Sequence, residues 1–417
     1  MKPFKVLVVV LSLMIVFPPV PRAVQGQEAF PPQEAPAGFD NQTNGLVDQA
    51  THDQDRTAFK ANEDAAAGLG PTFNAVSCDS CHSIPVTGGV TTVTELRAGH
   101  LDSSGNFVPA TAFVNHGAEP IPERSLINLK ATCPEAKEEL LPVDDIRVLR
   151  LTTNLLGGGF VEAISDGTLD NIRQNQPSNM QGQKIVVDAL EGGSGIGRFG
   201  WKDQHVSLLS FASDAYINEM GISNRLFPDK HDFTHQCEDT TQFPDQVDPE
   251  DAQPGRDDID IFARFIRATK VPPRDEQLAS TTAAQRGAQT FHNIGCDTCH
   301  VSTIDTAPAG TLMANGDPVP PALGHKRIHP YSDFLLHNIG TGDGIVQNGP
   351  QNTRNKVRTA PLWGLRTHQV FLHDGSAATI QDAIQRHGGQ AAGTVVSFNT
   401  TLNATQRQDL ITFLMSL

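Results

Sequence analysis

The hexapeptides SCDSCH at residues 77–82 and GCDTCH at residues 295–300 each set two cysteines three positions apart and follow the second with a histidine. Cysteines at this spacing can hold zinc, form a redox dithiol or form a disulfide, and the histidine decides between these. In C-x-x-C-H the two thiols add across the vinyl groups of a haem, and the adjacent imidazole sits under the iron as its proximal ligand. Cys78, Cys81, Cys296 and Cys299 are therefore read as attachment residues for two covalent haem c groups, with His82 and His300 as iron ligands. A zinc site needs further Cys or His pairs at short spacing, which Cys133 and Cys237 do not supply. Those two could instead form a disulfide in an exported chain, although spacing alone does not bring their Cα atoms within bonding range.

A haem held this way has one axial position left. In the second half, Thr379 caps a predicted helix on which Ile380, Ala383, Ile384 and His387 fall at i, i+3, i+4 and i+7, with Gly388 ending it. His387 so placed is either a satisfied core histidine or the sixth ligand. We read it as the ligand, because a haem in need of one lies in the same domain. A centre held by His300 and His387 transfers electrons and does not readily bind peroxide. In the first half, the corresponding helix carries Leu208, Ala212, Ala215 and Glu219 on one face. A glutamate buried over an open iron has a raised pKa and can move a proton between the two oxygens of peroxide. Met220 is its rival, since a thioether ligand closes the site. Spacing leaves that choice open.

The elements that must position these residues repeat. Phe73 precedes Cys78 by five residues, as Phe291 precedes Cys296. A helix with a capping box at Thr282 and Gln285 delivers the chain to the second motif, and a looser version precedes the first. Each half closes on an amphipathic helix, IFARFIRAT and DLITFLMSL. The expected fold is mainly α: two cytochrome c-like domains in tandem, residues 51–270 and 271–417, with long loops and few short strands, joined near Pro272 and Pro273. Ahead of them, residues 1–26 read as a signal peptide, with Lys2 and Lys5 before an apolar run too short to span a membrane, and residues 27–50 as a loose arm. The mature protein is thus expected in the periplasm with no membrane span. A net charge of −16 and the lack of any Lys/Arg cluster exclude nucleic acid as a partner and would suit a basic protein.

The motifs GRFGWK (197–202), INEMGIS (217–223), PYSDFLLHNIG (330–340), RTAPLWGL (358–365), FLHDG (371–375) and HGG (387–389), with the two C-x-x-C-H motifs, resemble the di-haem oxidoreductase and peroxidase family. The resemblance covers nearly everything after the arm. That family is similar to bacterial di-haem cytochrome c peroxidases and to the maturation enzyme of methylamine dehydrogenase. It implies a peroxidatic haem in the N-terminal domain, an electron-input haem in the C-terminal one, and Trp201 between them. Glu219 becomes the distal acid and base, and Met220 its neighbour. His387 stands where the peroxidases carry Met and the maturation enzyme Tyr, which lowers the second haem's potential relative to a methionine-ligated one. The resemblance also implies a calcium ion between domains, held by backbone oxygens near Thr359 and Pro361 with Asn154, and offers His100 as a resting ligand of the first haem. His337 and His373 recur in the motifs as supports for propionates or loops. The implied function is reduction of hydrogen peroxide with electrons from a small donor, a cytochrome c or a cupredoxin. The rival readings are a pure electron carrier and a peroxide-dependent oxidase of a partner protein. The thiol oxidoreductase label attached to some members has little support, since the C-x-x-C cysteines are expected in thioether bonds.

Overall fold

The computed structural model describes residues 31–110, 113–114, 124–228 and 257–417, and residues 33–417 form one compact unit. The expected signal peptide and Cys237 lie outside the described residues.

Around each C-x-x-C-H turn the same packing recurs. The helix Gln49–Lys60, whose N-cap Asp48 accepts from Thr51 N, packs on the closing helix Asp258–Ala268. The helix Thr282–Asn293 packs in the same way on Ala404–Leu414. Its N-cap is Thr281, which accepts from Ala284 N at 3.2 Å, one residue earlier than the capping box places it. The driving term is apolar burial along one stripe of each helix. Phe59, Phe262, Phe265 and Ile266 join Leu208, Ala212 and Tyr216 of a third helix, Leu208–Met220, in the first core. Phe291, Leu410, Phe413 and Leu414 join Ile380 of the helix Ile380–Arg386 in another.

The expected division at residue 270 does not appear as a gap. A core of Phe160, Leu169, Ile196, Val271, Leu323, Phe334 and Trp363 draws on both sides of it. The described part of the arm, residues 31–50, also has partners. Gln33 and Glu34 pair in parallel with Lys326 and Arg327, and the Asn44 side chain donates to the carbonyls of Arg267 and Thr269.

Strand content departs from the mainly α expectation, with fifteen short strands beside ten α-helices among the described residues. One sheet bears on the site. Thr94–Leu101 pairs antiparallel with Phe107–Pro109, Leu126–Ile127 and Ile146–Leu151, in a register that sets Glu95 opposite Arg150. Because strand side chains alternate, Glu95 and Arg97 share a face.

Candidate functional site

Each hexapeptide folds into one 3₁₀ turn, Cys78–Ser80 or Cys296–Thr298. The turn makes the amide of the following histidine donate to the first cysteine's carbonyl at 3.0 Å in both copies. Two sulfurs and an imidazole are thereby presented together. His82 Nδ1 lies 3.3 Å from the Gly89 carbonyl, and His300 Nδ1 lies 3.0 Å from that of Tyr331. A ring that donates from Nδ1 leaves the Nε2 lone pair free, the arrangement of an iron-bound histidine. Burial lowers both imidazoles to about 4, so they stay neutral, as a ligand must. Burial also raises the four thiols, Cys81 to about 11 and Cys296 to about 12. The low-pKa thiolate that dithiol chemistry requires is therefore missing from both pairs.

Both triplets open onto cavities, of about 520 Å³ at the first and about 1450 Å³ at the second including their mouths, large enough for a bulky organic cofactor. The first cavity is lined by Cys78, Cys81 and His82 together with Ala212, Ala215, Tyr216, Glu219 and Met220. Ile380, Ala383, Ile384 and His387 line the second cavity together with Cys296, Cys299 and His300, so the stripe read from the sequence faces it as one surface. His387 is the residue after the helix, not part of it. Its Nδ1 lies 2.7 Å from the Ala383 carbonyl, which frees Nε2 in the same way as in His82 and His300, and it is close enough to His300 to depress that ring's basicity. Both ring nitrogens of His373 and Nε2 of His368 are buried on the wall of this cavity without a hydrogen-bond partner among the described residues. Orphaned donors there fit a polar group of a bound cofactor, such as a haem propionate.

Residues 130–417 match the family described as "di-haem oxidoreductase, putative peroxidase". The chain belongs to that family. No curated protein matches it. Among solved structures it is similar to a hydrazine synthase of Kuenenia stuttgartiensis at 16% identity, over 96% of this chain and 99% of that one, with a TM-score of 0.40. A MauG-like protein associated with microbial copper homeostasis matches at 16% identity, over 94% of each chain, with a TM-score of 0.43. The diheme peroxidase BthA of Burkholderia thailandensis matches at 13% identity, over 93% and 94%, also with a TM-score of 0.43. Likenesses this distant assign no role to any residue. Membership of the di-haem oxidoreductase family implies haem as cofactor and oxidoreductase chemistry.

In this di-haem oxidoreductase, Glu219 is held from both ends. Its carbonyl accepts from Asn74 N and Ala75 N, and its Oε2 accepts from Asn74 Nδ2 at 2.9 Å, in the loop that leads to Cys78. The helix stops directly after Met220 at Gly221, whose φ of +69° suits glycine and whose missing Cβ would meet Thr72 O at 2.4 Å. Burial, followed by the charge of Glu95 and a hydrogen bond with it, pushes the Glu219 carboxyl up to about 8. Glu95 is itself held low by Arg97, which donates to it from Nε at 2.7 Å and from NH2 at 2.9 Å, and by Arg150. The sequence reading missed Glu95, Arg97 and Asn74. The alternating charges of TELR on a strand were the available signal, but their target lies on a distant helix.

Trp201 lies on the second cavity wall, edge-on to His373 at 6.1 Å, and its Nε1 donates to the Leu151 carbonyl at 2.7 Å. The next residues along that strand end lie beside the first centre: Thr152 acts on the Cys81 thiol and the Thr153 backbone on the His82 ring. Leu151, Thr152 and Thr153 thus run from the Trp201 indole towards the first centre. His100 sits on the strand with its Nδ1 3.0 Å from Asp144 Oδ1, and is not on the first cavity's wall. His337 bonds Asp333 at 2.7 Å and lies 3.7 Å from Cys299 Sγ. Cys133 is disulfide-bonded, and Cys237 lies outside the described residues.

Proposed function

We propose that this chain is an exported, periplasmic di-haem c peroxidase that reduces hydrogen peroxide to water with electrons from a small donor, a cytochrome c or a cupredoxin. The observation that carries the reading is the asymmetry of the two cavities: the second is lined by a further imidazole, His387, beside His300, whereas the first is lined by a carboxylic acid with a raised pKa, Glu219, beside His82. Cys78, Cys81 and His82 would hold the peroxidatic haem; Cys296, Cys299, His300 and His387 would hold the electron-transfer haem. When bound, haem iron supplies the redox chemistry of O–O cleavage.

The chain supplies proton handling and orientation. Glu219 takes the proton of the nearer peroxide oxygen and delivers it to the departing one, which leaves as water. A carboxyl near 8 can both accept and return that proton close to neutral pH. Asn74 fixes the carboxyl's rotamer, and Glu95 stays ionised between Arg97 and Arg150. Arg198 and Arg358 share a small cavity with Asn154 and Pro361, and the Thr359 carbonyl accepts from Ser332 Oγ at 2.5 Å, so the expected calcium ion stays outside this proposal. Among the described residues no helix is long and apolar enough to cross a membrane.

Stopped-flow mixing of the holoprotein with peroxide tests the reading. If ionised Glu219 is the initial base, kcat/KM for peroxide rises with pH through about 8. In Glu95→Gln the like charge is gone and Arg97 and Arg150 act on Glu219 alone, so the rise moves to lower pH. A pH-independent rate in the wild-type protein would refute the assignment. Trp201→Phe should slow reoxidation of the second centre by the peroxide-treated first, with both haems still attached; an unchanged transfer rate would remove Trp201 from the route.

One observation favours a second reading, a pure electron carrier. Met220 is on the same cavity wall as Glu219. Methionine ligation to the first iron, visible as a charge-transfer band lost in Met220→Leu, would establish it.

A further inference from the structure

The chain has 21 phenylalanines but two tyrosines and two tryptophans. One of these few oxidisable rings, Tyr216, lies on the wall of the first cavity, one turn before Glu219 on the same helix. Its ring packs edge-on against Phe262 at 5.2 Å, among neighbours Phe59 and Phe211 that fill the same wall without a hydroxyl. Packing alone gives no reason for a phenol there. The hydroxyl donates to Asp258 Oδ2 at 2.9 Å, at the start of the closing helix. The nearby Arg225 is engaged by Asp257 and Asp260, on either side of Asp258. Burial, Asp258 and Glu63 together push the Tyr216 phenol well above its ordinary range, so it does not ionise at rest. Removing an electron from a phenol makes its proton strongly acidic, and a carboxylate already bonded to that proton lets both leave together.

We propose that Tyr216 is a redox-active residue that gives one electron to the peroxide-oxidised first centre while its phenolic proton passes to the Asp258 carboxylate. This rests on the reading of the first centre as the peroxide site. A haem held there would give up two electrons to peroxide and so become the oxidant. Tyr216 returns one of them. Its O–H bond breaks, the electron goes to the centre and the proton to Asp258, leaving a neutral phenoxyl radical and a carboxylic acid. An electron arriving from the second centre, with the proton handed back by Asp258, restores the phenol. Tyr216 thus holds an oxidising equivalent beside the cavity while electron delivery lags.

Freeze-quenched electron paramagnetic resonance of the fully oxidised holoprotein, mixed with hydrogen peroxide without donor, tests this directly. A narrow organic radical is expected whose proton splittings collapse in protein grown on ring-deuterated tyrosine. It should persist in Tyr331→Phe and vanish in Tyr216→Phe, with haem content and resting spectrum of the variant as in the wild type. Asp258→Asn should reduce its yield severalfold. If peroxide changes the haem absorbance but no label-sensitive radical forms, or the radical survives in Tyr216→Phe, this inference is wrong and the peroxidase reading stands. If peroxide changes nothing in the wild-type protein, both fall together.

Discussion

Glu219→Gln should lower peroxide turnover by about 10²–10⁴-fold, the usual worth of a positioned general acid and base. The substitution is close to isosteric, and the amide oxygen can still accept from Asn74 Nδ2. The backbone bonds from Asn74 and Ala75 to the carbonyl of residue 219 do not depend on the side chain. With its carboxyl held near 8 the side chain is mainly neutral at neutral pH, so an amide in its place changes little of the charge around Glu95 and the fold has no reason to suffer. What is lost is the capacity to carry a proton from one peroxide oxygen to the other. The variant should retain two haems and a wild-type resting spectrum, and its residual rate should lose the rise through about pH 8. Turnover within a factor of two or three of the wild type, at equal haem content, would mean that Glu219 is not the acid and base.

The second large effect concerns the other centre. If His387 completes the second centre, His387→Met would exchange an imidazole for a thioether and raise the reduction potential by a readable fraction of the ~0.8 V that ligand identity spans. The helix Ile380–Arg386 that ends just before the residue is capped by Thr379 and packs through Ile380 into the C-terminal core, so position 387 keeps its place at the cavity wall. His387→Ala has no ligand to offer and should turn the second centre high-spin and reactive towards exogenous imidazole. Spectroelectrochemical titration reads the first variant, and absorbance with added imidazole reads the second. If neither potential nor spin state changes, His387 is a core histidine and another residue completes that site.

What the sequence disclosed depended on how local each signal was. The C-x-x-C-H turns are contiguous, and a single 3₁₀ turn converts that spacing into a common orientation of two sulfurs and an imidazole. Ile380, Ala383, Ile384 and His387 could be placed on one wall because helical periodicity needs no tertiary information. Glu95 could not be found that way. Its part depends on an antiparallel register with Arg150 and on a helix whose end is tied to the loop before Cys78. The arm was misjudged for the same reason: its Pro- and Gln-rich composition suggests a loose chain, but parallel pairing with Lys326 and Arg327 orders it through partners almost three hundred residues away. The tandem-domain picture overlooked a core that Phe160 and Leu169 share with Val271 and Trp363. Phe160 and Leu169 sit on short helices and Val271 and Trp363 lie outside helices and strands, so no long periodic stripe announces such a partnership.

The central claim is that one iron is open to peroxide and the other is closed by two histidines. Low-temperature electron paramagnetic resonance of the holoprotein, fully oxidised and then half-reduced, each with and without peroxide, addresses it most directly. The account predicts a high-spin ferric signal in at least one of the two states that disappears on adding peroxide, beside a low-spin bis-histidine signal that peroxide leaves coordinated. Two low-spin signals that stay unchanged through both states would contradict it and leave the protein an electron carrier.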